Sequence, residues 1–257
     1  MDLKLNGKRA MVTCATSGVG LACAMALAAE GVHVIGVSRR AATTGVAIRK
    51  LLPEEFRIDW IDCDIGDECS LATLMELIPP VDIVVFVPVR EKQSSLMTAG
   101  FGDYQDAFSR GVRPYLGMVH ASLRTMTENG YGRFISLLGA STLAPLWDHT
   151  LSNVARLSVA ALGSGGAREF ASSGITFNNI ILGVFDTPGL KAVWEARCRE
   201  TGTDLRQYAI ARTEGLPGKT LGEPSQCGAL VALLASPMMN YLTGQSIRVD
   251  GGLHPAL

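Results

Sequence analysis

What the chain lacks narrows its possible roles first. Its six cysteines form no C-x-x-C pair and its four histidines are scattered, so no zinc-type ligand spacing or disulfide framework is legible. Cys14, Cys23, Cys63, Cys69, Cys198 and Cys227 read as reduced core thiols, and no metal site is expected. An excess of one charge is missing too. Lys and Arg number 23 against 24 Asp and Glu, a formal net charge of -1 with the signs interspersed, which gives neither a nucleic-acid stripe nor a polybasic membrane anchor. No apolar run reaches the roughly 18 residues of a membrane span. Met1 to Gly7 carries Asp2 and no apolar core, so it does not read as a signal peptide. Repeats, low-complexity tracts and linkers are also missing. A cytoplasmic protein that meets small molecules and copies of itself is the expectation.

What is present is organised around Lys8 to Arg40, KRAMVTCATSGVGLACAMALAAEGVHVIGVSRR. A strand (Arg9 to Thr13) runs into a turn of small residues (Cys14 to Gly20), then a helix ended by Gly31 and a second strand (Val32 to Val37). This is a β-α-β unit. Gly18 and Gly20 suit a turn that must bring backbone N-H groups and a helix N-terminus against a dinucleotide pyrophosphate, because side chains there would obstruct the approach.

Strand and helix keep alternating. The pattern predicts a helix over Ala41 to Leu52, a strand over Phe56 to Ile61, a helix capped by Asp67 and running to Ile78, and a strand over Val81 to Val87. Arg90 to Gly102 is polar and irregular. Asp103 is expected to cap a long helical segment to Glu128 that Pro114 kinks or divides. Then come a strand over Gly132 to Leu138, a helix over Thr150 to Ser173, a strand over Ile175 to Leu182, a helix over Pro224 to Ala235 and a last strand over Ser246 to Val249. Residues 184–222 are longer than an ordinary connection and hold two helical stretches, Gly189 to Thr201 and Asp204 to Glu214, which suits a lid over a substrate. With 257 residues, 47% of them hydrophobic, the chain can bury one α/β core. A single doubly wound Rossmann-type domain over 1–257 is expected, with a mainly parallel seven-stranded sheet flanked by helices and a ligand at the carboxyl ends of the strands.

The order Thr13-x-x-x-x-Gly18-Val19-Gly20, with Cys63-Asp64-Ile65, Gly130-Tyr131-Gly132-Arg133, Asn178-Asn179, Asp186-Thr187-Pro188, Gly222-Glu223-Pro224 and Val249-Asp250-Gly251-Gly252, resembles the short-chain dehydrogenase/reductase family over essentially the whole chain. Cys14 stands where that family has a glycine. The resemblance implies a nicotinamide cofactor held by Thr13, Ser17, Gly18, Val19, Gly20, Ser38, Arg39, Arg40, Asp64, Ile65, Arg156 and Thr187, and subunit contacts through Pro224 to Gly252. It also implies a catalytic serine, tyrosine, lysine and asparagine, whose places here hold Gly139, Ser152, Arg156 and Gly111. The family's strand-four Asn-Asn-Ala-Gly is replaced by Phe86-Val87-Pro88-Val89, whose bulk is expected to crowd the cofactor's path. Leu151 to Arg156 is similar to a β-ketoacyl reductase-like subgroup in which Ser and Arg replace Tyr and Lys.

An alkyl hydroxyl at 152 is a far weaker acid than a phenol with a pKa of about 10, and a guanidinium keeps its proton. Replacement groups are therefore sought nearby. Asp148-His149 is one acid/base candidate, set against Asp148 as a helix cap beside a solvated His149. Ser141 is a candidate for the missing serine, set against an ordinary turn serine. Cys14 is a packed small side chain or, alternatively, a thiol activated by the helix N-terminus. Ser38-Arg39-Arg40 has arginines for a 2′-phosphate and no acid for a ribose hydroxyl, which favours NADP over NAD, set against a solvated loop of two arginines. The expectation is an NADP-linked carbonyl or 3-oxoacyl reductase-like oxidoreductase with absent or altered chemistry. The alternative is a non-redox enzyme derived from the same family, or a catalytically silent protein that binds a metabolite in the same cleft and need not bind a cofactor.

Overall fold

The computed structural model describes residues 1–255, and residues 256 and 257 of the expected domain lie outside the described residues. Seven parallel strands form one sheet in the order β3-β2-β1-β4-β5-β6-β7, namely β1 (Arg9–Thr13), β2 (His33–Ser38), β3 (Ile58–Asp62), β4 (Ile83–Phe86), β5 (Gly132–Gly139), β6 (Ile175–Leu182) and β7 (Ser246–Val249). The central strands are apolar at successive positions because both faces are covered. Ala10, Val12, Ile83, Val85, Ile135 and Ile180 face one core cluster. Met11, Val84, Phe86, Phe134 and Ile181 face the other. Each of these side chains larger than Ala10 contributes about 1.5–3 kcal/mol when taken fully out of water, and a register slip of one residue would exchange the faces of both clusters.

The helices are α1 (Gly18–Ala29), α2 (Ala41–Arg49), α3 (Glu68–Leu77), α4 (Phe101–Gly111), α5 (Arg113–Asn129), α6 (Thr150–Glu169), α7 (Pro188–Thr201), α8 (Leu205–Glu214) and α9 (Pro224–Ala235). Pro114 does divide the fourth helical segment, and it sits in the first turn of α5, where its missing N-H costs nothing. Asp103 is not the cap of α4. Gly100 takes that place, and Asp103 reaches back from the third helical position to accept the Gly100 N-H at 2.9 Å. α2 ends at Arg49, whose guanidinium donates to the carbonyls of Pro53 and Glu54. α6 ends at Glu169 and passes through a 3-10 turn at Ala171–Ser173 to left-handed Gly174.

Small residues set the position of α6. A Cβ on Gly166 would stand 2.9 Å from the ring of Phe177, which itself stacks on Phe134 with centroids 4.5 Å apart. The helix therefore lies close on β5 and β6, and its first turns reach the carboxyl end of β5. The segment after β6 forms two helices as expected. α7 is capped by Thr187, whose Oγ1 accepts the Leu190 N-H, and α8 by Asp204, which accepts the Gln207 N-H. Trp194 and Tyr208 join them edge to face, 6.0 Å between centroids.

Candidate active site

The carboxyl ends of β1, β2 and β4 converge on the small-residue turn. Thr13 is fully buried and its hydroxyl is spent on β4: it donates to the Val87 carbonyl at 2.9 Å and accepts the Val87 N-H at 2.7 Å. Thr13 thus braces the turn from beneath. Ala15 N-H donates to the Val37 carbonyl at 3.2 Å, and the Thr16 and Ser38 hydroxyls are 2.8 Å apart. Cys14 and Gly18 adopt left-handed φ of 51° and 54°. A Cβ on Gly20 would drive into the Cys14 carbonyl oxygen, and one on Gly18 would meet the Thr187 methyl at 3.1 Å. α1 therefore starts hard against the strand end, and Ser17 at its cap makes no side-chain bond to its first turn. The opening N-H groups of α1, at Gly18, Val19 and Gly20, have no partner within the helix.

Cys14 is the packed side chain of the two expected alternatives. Its Sγ lies 3.5 Å from the Val87 carbonyl, and burial pushes its thiol up to about 11, against the pull of the Arg39 charge. Phe86 is wholly buried beside Tyr115, ring centroids 5.5 Å apart, so its bulk turns into the core rather than across the turn. Arg39 and Arg40 are exposed beyond Ser38, and neither guanidinium makes a hydrogen bond or ion pair with another described residue. Asp64 accepts the Gly66 N-H at 3.0 Å, and its charge is felt at Cys14, while Ile65 is buried.

The second half of the site lies at the end of β5. Arg156 on α6 reaches across so that a Cβ on Gly139 would come within 2.6 Å of its Nη1. Its Nη1 donates to Ser141 Oγ at 3.4 Å, and Ser141 is buried in the 3-10 turn after β5. Ser141 and Arg156 are thus brought together, and the guanidinium fills the space over Gly139. Burial pushes the Arg156 pKa down, the Glu91 carboxyl opposes that, and Arg90 adds to it. Ser152 is buried one turn earlier on α6.

Asp148 and His149 pair with each other, not with Arg156. His149 Nδ1 is 2.8 Å from Asp148 Oδ1, and Gln93 Nε2 donates to Asp148 Oδ2 at 2.6 Å, so that hydrogen bonding holds the Asp148 carboxyl below its usual range. The expected capping by Asp148 does not occur, since His149 occupies the cap of α6. His149 is also not simply solvated: the bridge between Ser94 and His149 ties this loop to the one before α4.

Sequence reasoning passed over Glu91. It lies in the stretch read only as polar and irregular, yet its Oε1 is sealed from solvent without a hydrogen-bond partner, near the Cα of Gly111. No local pattern marks it, because the residues that enclose it come from α4 and α6.

The family model described as enoyl-(acyl carrier protein) reductase matches residues 14–254. The chain is 28% identical over 252 residues to 2-keto-3-deoxy-L-fuconate dehydrogenase of Xanthomonas campestris, covering 98% of this chain and 81% of that one. It is also 28% identical over 257 residues to a 3-oxoacyl-(acyl-carrier-protein) reductase of Vibrio harveyi, covering 98% and 99%. Among solved structures, L-sorbose reductase of Gluconobacter frateurii complexed with NADPH and L-sorbose superposes with a TM-score of 0.91 at 23% identity over all of both chains. That last likeness is one of fold.

Proposed function

The chain belongs to the short-chain dehydrogenase/reductase family, and from that premise we propose that it is an NADP-linked carbonyl reductase of the 3-oxoacyl reductase-like type with altered acid/base chemistry. The observation that carries this reading is the glycine turn, Gly18 to Gly20 packed on Cys14 and Thr187, beside a catalytic end where Arg156 fills the space over Gly139. The turn fits a dinucleotide. Its glycines leave the N-H end of α1 open to a pyrophosphate, and Arg39, unpaired beside Cys14, suits a ribose 2′-phosphate. Asp64 and Ile65 would border the adenine, and Thr187 would close over the turn from the lid. When bound, the nicotinamide supplies a hydride to a carbonyl carbon. Arg156 would hold an anionic or ribose oxygen with its fork of donors.

The NADPH in the Gluconobacter neighbour supports the cofactor choice. A homodimer or homotetramer through 224–252, in the cytoplasm, completes the proposal; exposed Met238 and Tyr241 in that segment support the assembly. A second reading, a non-redox metabolite-binding protein, is favoured by one observation, that no phenol or amine stands at 152 or 156. Nicotinamide fluorescence and NADPH oxidation with an acetoacetyl thioester separate the two. Binding with turnover far below that of a relative with intact Ser, Tyr and Lys is expected. Rapid oxidation would refute the altered chemistry, and no binding would leave the second reading.

A further inference from the structure

Glu91 is the unassigned ionisable group of this cleft. Its Oε1 sits in the notch where α4 ends on α6. A Cβ on Gly111 would meet that oxygen at 3.3 Å and the Ala155 Cβ at 2.8 Å, so glycine at 111 lets α4 end close on α6 with the carboxyl lodged beside it. Burial raises the carboxyl's pKa, Arg110 from α4 and Arg156 from α6 pull it down, and Asp106 from α4 adds to the rise. Arg90, next to it on the same connection, acts on Arg156. No described cation closes an ion pair with Glu91. An ionised oxygen left unpaired in such a place is costly, whereas a protonated one has a donor to offer a ligand.

We infer that Glu91 is the general acid/base of the cleft and protonates the oxygen of a substrate carbonyl. The inference rests on the reading of the protein as a nicotinamide-linked reductase. In the reducing direction the carbonyl carbon takes a hydride, with its electron pair, from the reduced nicotinamide, and the π pair of the C=O bond moves onto oxygen. The O-H bond of Glu91 breaks and its proton joins that oxygen, giving the alcohol. The carboxylate that remains is stabilised by Arg110 and Arg156 and regains a proton from water. A carboxylic acid raised toward the operating pH performs this step where the Ser152 hydroxyl does not.

The test combines carbon-13 NMR of protein labelled at the glutamate carboxyls with stopped-flow oxidation of NADPH by 2,3-butanedione. One resonance, missing in Glu91→Gln, is expected to titrate above the ordinary carboxyl range and to move higher still in Arg156→Gln. Glu91→Gln is expected to keep its NADPH affinity, and its melting temperature at acidic pH, while oxidising NADPH about 100-fold more slowly or worse, the low end for a lost general acid. The fall in rate with rising pH is expected to vanish with it, and Glu91→Asp to recover part of the rate. An ordinary Glu91 midpoint, a Glu91→Gln variant with the wild-type rate and pH profile, or a wild type that holds NADPH without oxidising it would overturn the inference alone. A wild type that binds no NADPH would remove the redox reading, and this inference with it.

Discussion

The guanidinium of Arg156 rests against the Cα of Gly139, so close that a Cβ on the glycine would lie 2.6 Å from Nη1. The two positions are therefore one unit. A side chain at 139 and an extended cation at 156 compete for the same space. Gly139→Ala is expected to push the arginine head aside at a cost of about 1 kcal/mol, the low end for overpacking, because the displaced atoms end a flexible chain. Ligand affinity is expected to fall as it does in Arg156→Ala, by about 1.5–3 kcal/mol if the guanidinium binds the ligand. Denaturant midpoints and ligand titrations of both variants check this. A Gly139→Ala variant with full affinity would separate the two residues.

Gly20 faces backbone instead of a movable side chain. Gly20→Ala would force a Cβ onto the Cys14 carbonyl oxygen, and a loss of about 3 kcal/mol, the top of the overpacking range, is expected together with loss of cofactor binding. Gly165, with open space around its Cβ position on the exposed face of α6, serves as the control. Gly165→Ala is expected to gain about 0.5–1 kcal/mol from helix propensity. Chemical denaturation of both variants distinguishes a steric effect at the turn from a general intolerance of alanine.

Much of this architecture is legible in the sequence for local reasons. Apolar runs bounded by Gly and Pro mark β1, β4, β5 and β6, and Gly130 and Gly174 end helical segments where left-handed φ is needed. The family spacing also locates Gly139 and Arg156 correctly as neighbours. It does not reveal that Asp148 is committed to His149 and Gln93, or that Glu91 is the carboxyl whose charge reaches Arg156. Both facts depend on how two surface connections fold over the start of α6, and no periodicity encodes that. Cys14 shows the same limit: a helix N-terminus lowers a thiol pKa, but here burial outweighs it and raises the value to about 11.

The raised Glu91 pKa has a consequence for stability. Where the folded state holds a proton that the unfolded state has released, stability falls as pH rises. The loss is expected to begin above the unfolded carboxyl value of about 4.3 and to be complete above the folded one. Glu91→Gln, which cannot ionise, is expected to be more stable than wild type at alkaline pH, with the difference shrinking toward zero at acidic pH. Melting temperatures of both proteins across that range measure it. A constant difference would mark an ordinary solvated carboxyl, and one that grows on acidification a carboxylate stabilised by its neighbours; either contradicts the raised value.

The central claim is that the turn beneath α1, with Arg39 and Arg40 beside it, holds NADP. Its most direct test is the affinity of the purified protein for NADPH and NADH, measured by nicotinamide fluorescence at fixed salt, in wild type and in Arg39→Ala/Arg40→Ala. NADPH is expected to bind about tenfold tighter or more, the equivalent of one charge-assisted contact, and the double variant to erase that preference while leaving NADH affinity unchanged. Equal affinities in wild type, or a preference that survives loss of both arginines, would contradict the account.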